Sequence, residues 1–246
     1  NEHAVQWIGE SDWVYGRTFT VPAALLACER VLLQCEGLDT LAEIRLNGHR
    51  VGTTDNMFRR WEFDAGGLLK RGRNHLEVRF SSAMQHVRRR AGERVLPAWG
   101  IGAHKLDGGG WIRKEPCNFG WDWGPALVTC GIWRDIRLTG YGAARLGDVR
   151  VLQHHEGRGR VELEVEAGIE RFAAGGRLEA RVRVELDGVA VAEGAATVRG
   201  PKCVARVAIP KPRLWWPNGM GEQPLYTVHV DLLVGDRVLD GASRRV

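Results

Sequence analysis

The residues best suited to chemistry sit together at Trp121-Asp122-Trp123, a carboxylate held between two indoles. They follow Arg113-Lys114-Glu115-Pro116-Cys117-Asn118-Phe119-Gly120 and precede Gly124-Pro125. Indole rings offer flat apolar faces, and a carboxylate offers directional acceptors. A sugar presents both complements: C–H patches that pack on an aromatic face, and hydroxyls that need partners when buried. A plainer reading also fits, a tryptophan-anchored loop in which Asp122 caps its own turn. Arg113 and Lys114 suit either reading, as cations that neutralise Asp122 or as groups that orient it from behind. The surrounding residues 98–126 favour a ligand surface. They number 29, with seven glycines and four of the chain's ten tryptophans. So long a stretch without regular structure is usually functional or disordered, and its tryptophan density argues against disorder.

The elements that must hold this loop are strands. Residues 13–19, 30–35 and 41–46 are short β-rich runs. Asn47-Gly48 supplies a tight hairpin turn before 49–51, because both residues tolerate positive φ. Residues 75–80 alternate Leu76, Val78 and Phe80 with Glu77 and Arg79, and 127–138 reads as more strand. Further on, Leu178, Ala180, Val182, Val184 and Leu186 face one way, and Asp187-Gly188 turns the chain into 189–192. Runs 203–209 and 225–234 complete a strand-rich second half. Only 84–96 reads as a helix, with Met84, Val87, Ala91 and Val95 three to four apart and Pro97 ending it. One helix among a dozen strands is an all-β pattern, without the alternation of a βαβ fold. A boundary at Gly140-Tyr141-Gly142 leaves a second part of the size of an immunoglobulin-like sandwich.

At 246 residues the chain can bury a core without staples. Its 44% hydrophobic and 26% charged content suits a globular protein. No run approaches eighteen apolar residues, so no membrane partner is expected. The net charge of +5 is spread through an arginine-rich chain. Its densest cluster, Arg88-Arg89-Arg90, reads as a solvated helix face, and no nucleic-acid partner is expected. The five cysteines are odd in number and lack zinc-site spacing, so free thiols are expected and no metal. The opening at Asn1, with neither Met nor an apolar leader, gives no compartment. Glu162, Glu164 and Glu166 alternate along one strand and read as its solvated face. His154-His155 cannot share a metal, since strand neighbours point to opposite faces. Gly108-Gly109-Gly110 lacks the context of a phosphate loop.

The 113–125 segment resembles the signature loop of the β-mannosidases of glycoside hydrolase family 2. Asn1-Glu2, Val5-Gln6-Trp7, Glu36-Gly37-Leu38-Asp39-Thr40 and Asp55-Asn56-Met57-Phe58-Arg59 resemble the early segment of the same family. Leu214-Trp215-Trp216-Pro217-Asn218-Gly219 with Gln223-Pro224-Leu225-Tyr226 resembles the close of that family's second domain, and Gly131-Ile132-Trp133-Arg134-Asp135 is shared more widely across family 2. The resemblance implies a jelly-roll, galactose-binding-like β-sandwich over 1–142 and an immunoglobulin-like β-sandwich over 143–246. It implies that Asp122 enters the sugar subsite on the non-reducing side of the scissile bond. Trp121 or Trp123 would shape its wall. It also implies a further strand before Asn1 and a barrel beyond Val246 that carries both hydrolytic glutamates. Retaining hydrolysis needs two carboxyl groups about 5–5.5 Å apart. No catalytic residue and no cofactor are therefore expected here. The expected partners are a β-mannoside or related oligosaccharide and the protein's own barrel. A family 2 glycosidase for galactose, glucuronic acid or glucosamine, a stand-alone carbohydrate-binding module and a structural sandwich remain as alternatives.

Overall fold

The computed structural model of the chain describes residues 2–94, 96, 106–157 and 159–246. It divides into two compact units, Asn1–Gly140 and Tyr141–Val246. Both are built almost wholly of antiparallel strands.

In the first unit, β1 (Trp13–Thr20), β2 (Arg30–Cys35), β3 (Leu38–Asp39), β4 (Ala42–Leu46) and β5 (His49–Thr54) are followed by β6 (Trp61–Asp64), β7 (Arg73–Phe80), β8 (Gly131–Ile132) and β9 (Ile136–Tyr141). One sheet has the order β1-β7-β4-β5, another β6-β2-β9, and β3 pairs with β8. The alternation of β4 and β7 turns Ala42, Ile44, Leu46, Val78 and Phe80 into a core with Leu33, Cys35 and Leu38. Each large apolar side chain buried there contributes roughly 1.5–3 kcal/mol. Asn47 and Gly48 have φ of 53° and 84°, the turn that a two-residue hairpin requires.

The second unit contains β10 (Ala144–Glu156), β11 (Arg160–Arg171), β12 (Leu178–Leu186), β13 (Val189–Thr197), β14 (Lys202–Pro210), β15 (Thr227–Val234) and β16 (Arg237–Arg245). Sheets β10-β11-β14 and β13-β12-β15-β16 enclose one core. Three strands against four is the immunoglobulin-like count. Val161, Leu163, Val165 and Ala167 of β11 point inward. Glu162 and Glu164 face the other way, where both reach Arg206.

Three local expectations change. Besides the helix α3 (Ala83–Glu93), one-turn helices α1 (Trp7–Glu10) and α2 (Ala23–Leu26) are present, too short to show a period. The N-cap of α3 is Ser82, whose hydroxyl accepts the Gln85 N–H at 3.0 Å; Val95 and Pro97 lie outside the described residues. The 127–138 run is strand only at β8 and from Ile136 onward. Just ahead of it, the Ala126 N–H donates to Glu2 Oε1 at 2.7 Å and its carbonyl accepts from Gln6 Nε2 at 2.8 Å. Side chains of the N-terminal segment thus take backbone groups that a ladder would have used.

Candidate functional site

The loop that carries Trp121-Asp122-Trp123 has a buried base and an exposed tip; its residues 98–105 lie outside the described residues. At the base, Ile112, Phe119 and Val128 pack with Ala83, Met84 and Val87 of α3. This helix therefore serves as the platform on which the loop rests. A short 3-10 turn, Pro116–Phe119, ends at Gly120, whose φ of 107° suits a residue without a side chain.

The limb entering the turn is fixed to two other segments. Residues Asn56 and Arg113 form a parallel bridge, and the Met57 N–H donates to the Arg113 carbonyl at 3.0 Å. The Glu115 N–H donates to Met57 Sδ at 3.0 Å. Trp133 in turn donates its Nε1–H to the Met57 carbonyl at 3.1 Å. A side chain at Gly37 would start 2.4 Å from that indole nitrogen, so the glycine makes room for the ring.

Lys114 points inward. Its side chain has 0% exposure, and its ammonium is hydrogen-bonded to Asp39 Oδ2 on β3. The other Asp39 oxygen accepts from the Thr40 hydroxyl. Burial holds the Lys114 ammonium below the ordinary lysine range, against the opposing pull of Asp39. The same low-dielectric neighbourhood raises the Cys130 thiol, chiefly through burial and then through the charge of Asp39. The structure thus brings Lys114 to Asp39 and not to Asp122. Arg113 is exposed and meets the core through its backbone.

At the tip, Trp121 and Gly124 exchange backbone hydrogen bonds of 3.4 Å in each direction. Asp122 and Trp123 occupy the two corners between them. Trp121 is 37% and Trp123 74% exposed. Two other acidic or amide turns in this unit show what side-chain capping looks like. Asp64 Oδ1 accepts the Gly66 N–H at 3.1 Å, and Asn56 Oδ1 accepts the Phe58 N–H at 2.9 Å. Asp122 makes no such bond and no ion pair among the described residues. The tip stands on the surface, whereas a cavity of about 630 Å³ in the same unit opens elsewhere, lined by Tyr15, Phe19, Leu33, Val78, Ile136 and Leu138.

Residues 1–134 match the family model of the glycosyl hydrolase 2 galactose-binding domain-like type, and residues 144–246 match that of the glycosyl hydrolases family 2. The chain belongs to glycoside hydrolase family 2. Among its family 2 relatives, β-mannosidase B of Thermothelomyces thermophilus is 34% identical over 249 residues, 100% of this chain and 28% of that protein. β-Mannosidase B of Emericella nidulans is 32% identical over 237 residues, 94% of this chain and 27% of that protein. The crystal structure of the β-D-mannosidase from Dictyoglomus thermophilum superposes with a TM-score of 0.90 at 35% identity, covering 100% of this chain and 30% of that one. The chain thus spans under a third of each of these relatives. Both its galactose-binding-like and immunoglobulin-like sandwiches are family 2 architecture.

Within this family 2 chain, the residue that sequence reasoning passed over is Asp39. It lay in a segment noted for resemblance alone. The available signal was a carboxylate in the run Gly37-Leu38-Asp39-Thr40-Leu41-Ala42, where β-strand burial demands a partner charge. No group of three or more potential metal ligands occurs among the described residues.

Proposed function

We propose that this chain is the non-catalytic front part of a longer, retaining β-mannosidase acting on terminal β-D-mannosides, and that its 121–124 turn completes the sugar subsite of a separate catalytic barrel. The observation that carries the proposal is Asp122, a carboxylate without a partner among the described residues, at the corner of a turn between two exposed indoles. Its oxygens accept sugar hydroxyls, and Trp121 or Trp123 packs on the C–H face of the ring. The relatives named β-mannosidase support the choice of mannose, because they align along nearly the whole chain. Bond cleavage belongs to a carboxyl pair supplied by the rest of the protein. This chain contributes binding energy that grows in the transition state as the sugar distorts.

The test uses the longer protein with an aryl β-mannoside. Asp122→Ala removes charge-assisted hydrogen bonds worth roughly 1.5–3 kcal/mol each. The expected loss in kcat/KM is about ten- to hundred-fold per bond, with Tm nearly unchanged. Wild-type kcat/KM together with a lowered Tm would make Asp122 a structural residue and overturn the reading. An aryl β-galactoside, β-glucuronide or β-glucosaminide turned over faster than the mannoside would move the substrate to another family 2 sugar.

A further inference from the structure

We infer that Lys114 and Asp39 form a positioning pair that sets where the 121–124 turn points; for its link to catalysis this inference rests on the reading of Asp122 given above. Only seven residues separate Lys114 from Asp122. That span has little slack. It contains the turn Pro116–Phe119 and the buried Phe119 ring. A shift at Lys114 therefore carries through to the tip.

The pair is also an unusual choice of anchor. An apolar side chain at 114 would bind the loop to the core without removing two charges from water. An ion pair adds direction: an ammonium on a long stem satisfies Asp39 Oδ2 only from a narrow set of positions, while Thr40 occupies the other oxygen. The contacts flanking Lys114, from Met57 to the Arg113 carbonyl and from the Glu115 N–H to Met57 Sδ, fix the backbone on both sides of it. Two backbone restraints and one buried charge pair locate the limb in all directions. Burial disfavours the charged lysine, so Asp39 is what keeps an ammonium at this place.

The experiment compares Lys114→Met, Asp39→Asn and the apolar double variant Asp39→Leu with Lys114→Met. Hydrogen exchange of residues 113–125 is measured in the 246-residue chain well below Tm, with strands β4 and β7 as internal reference. In the longer protein kcat/KM is measured with Asp122 intact and with Asp122→Ala. The single variants are expected to speed exchange of 113–125 at least tenfold more than that of the reference strands. They are expected to lower kcat/KM at least tenfold, and to lower it little further when Asp122 is already alanine. The double variant is expected to regain most of the lost Tm but neither slow loop exchange nor kcat/KM. If a single variant fails to fold, the double variant decides alone. Wild-type loop exchange in the double variant would overturn the inference and leave the pair a source of stability only. An Asp122→Ala enzyme with unchanged kcat/KM would instead reject the sugar-acceptor reading, with the exchange result still deciding the positioning.

Discussion

Two tryptophan-bearing loops, one in each unit, expose similar amounts of indole and treat their polar groups in opposite ways. In the second unit Trp215 and Trp216 are 55% and 43% exposed. Beside them the acidic Glu222 is paired with Arg213. Arg213 meets Asp187 at 2.9 Å and Glu222 at 2.8 Å, and its N–H donates to the Tyr226 hydroxyl at 2.9 Å. The Trp216 N–H reaches the Glu222 carbonyl, and Gln223 bonds the Trp216 and Gly221 carbonyls. In the first unit Lys114 is paired with Asp39 at the base of the loop, but Asp122 at its tip has no partner among the described residues. What separates the two loops is therefore the acceptor beside the indole rather than the exposed indole itself.

The largest effect should come from the base of the first loop. Asp39→Asn leaves the buried Lys114 ammonium without its counter-charge, a change that costs about 3–5 kcal/mol in comparable buried pairs. Denaturant unfolding of the 246-residue chain checks this; a loss under about 1 kcal/mol would mean the ammonium finds water or loses its proton cheaply.

A pH titration sharpens the same contrast from the core side. Burial, with the Glu36 charge adding to it, pushes the Cys35 thiol from 9.0 up to about 12. Between these values the unfolded chain has given up the proton and the folded chain keeps it. The stabilisation is complete below pH 9.0 and is lost as pH rises towards about 12. The expected slope from this group approaches about 1.4 kcal/mol per pH unit. Unfolding free energies measured across the range should fall less steeply in Cys35→Ala than in wild type, and parallel curves would contradict the assignment.

The smallest effect belongs to the second loop. Arg213→Ala removes two exposed ion pairs, which are worth little in water. Tm should shift slightly and kcat/KM in the longer protein should not change. A tenfold drop in kcat/KM would show that the Trp215 loop is also part of a site, and the comparison would fail.

The sequence made the tip more legible than its support. Trp121, Asp122 and Trp123 are adjacent in the chain, so their joint chemistry could be read from neighbours. The hairpin at Asn47-Gly48 and the alternating glutamates of β11 were legible for the same reason, since turn and strand signals are local. Lys114 and Asp39 are 75 residues apart, and no local period links them. Lys114 therefore looked like a companion of the nearer Asp122. The irregular path near Ala126 was hidden in the same way, because its backbone partners, Glu2 and Gln6, lie at the other end of the unit. The jelly-roll assignment came through the family resemblance, as strand count alone does not distinguish among sandwiches.

The central claim is that the Asp122 carboxylate accepts a hydrogen bond from the sugar, and a substrate series tests it most directly. Wild-type and Asp122→Ala forms of the longer protein would be compared on an aryl β-mannoside and on its monodeoxy analogues. For at least one analogue, wild type should lose about what the mutation costs, and the mutant should lose little more on that same analogue. This non-additivity is the signature of a direct contact. If Asp122→Ala lowers kcat/KM by the same factor on every member of the series, Asp122 does not touch a sugar hydroxyl and the account is wrong.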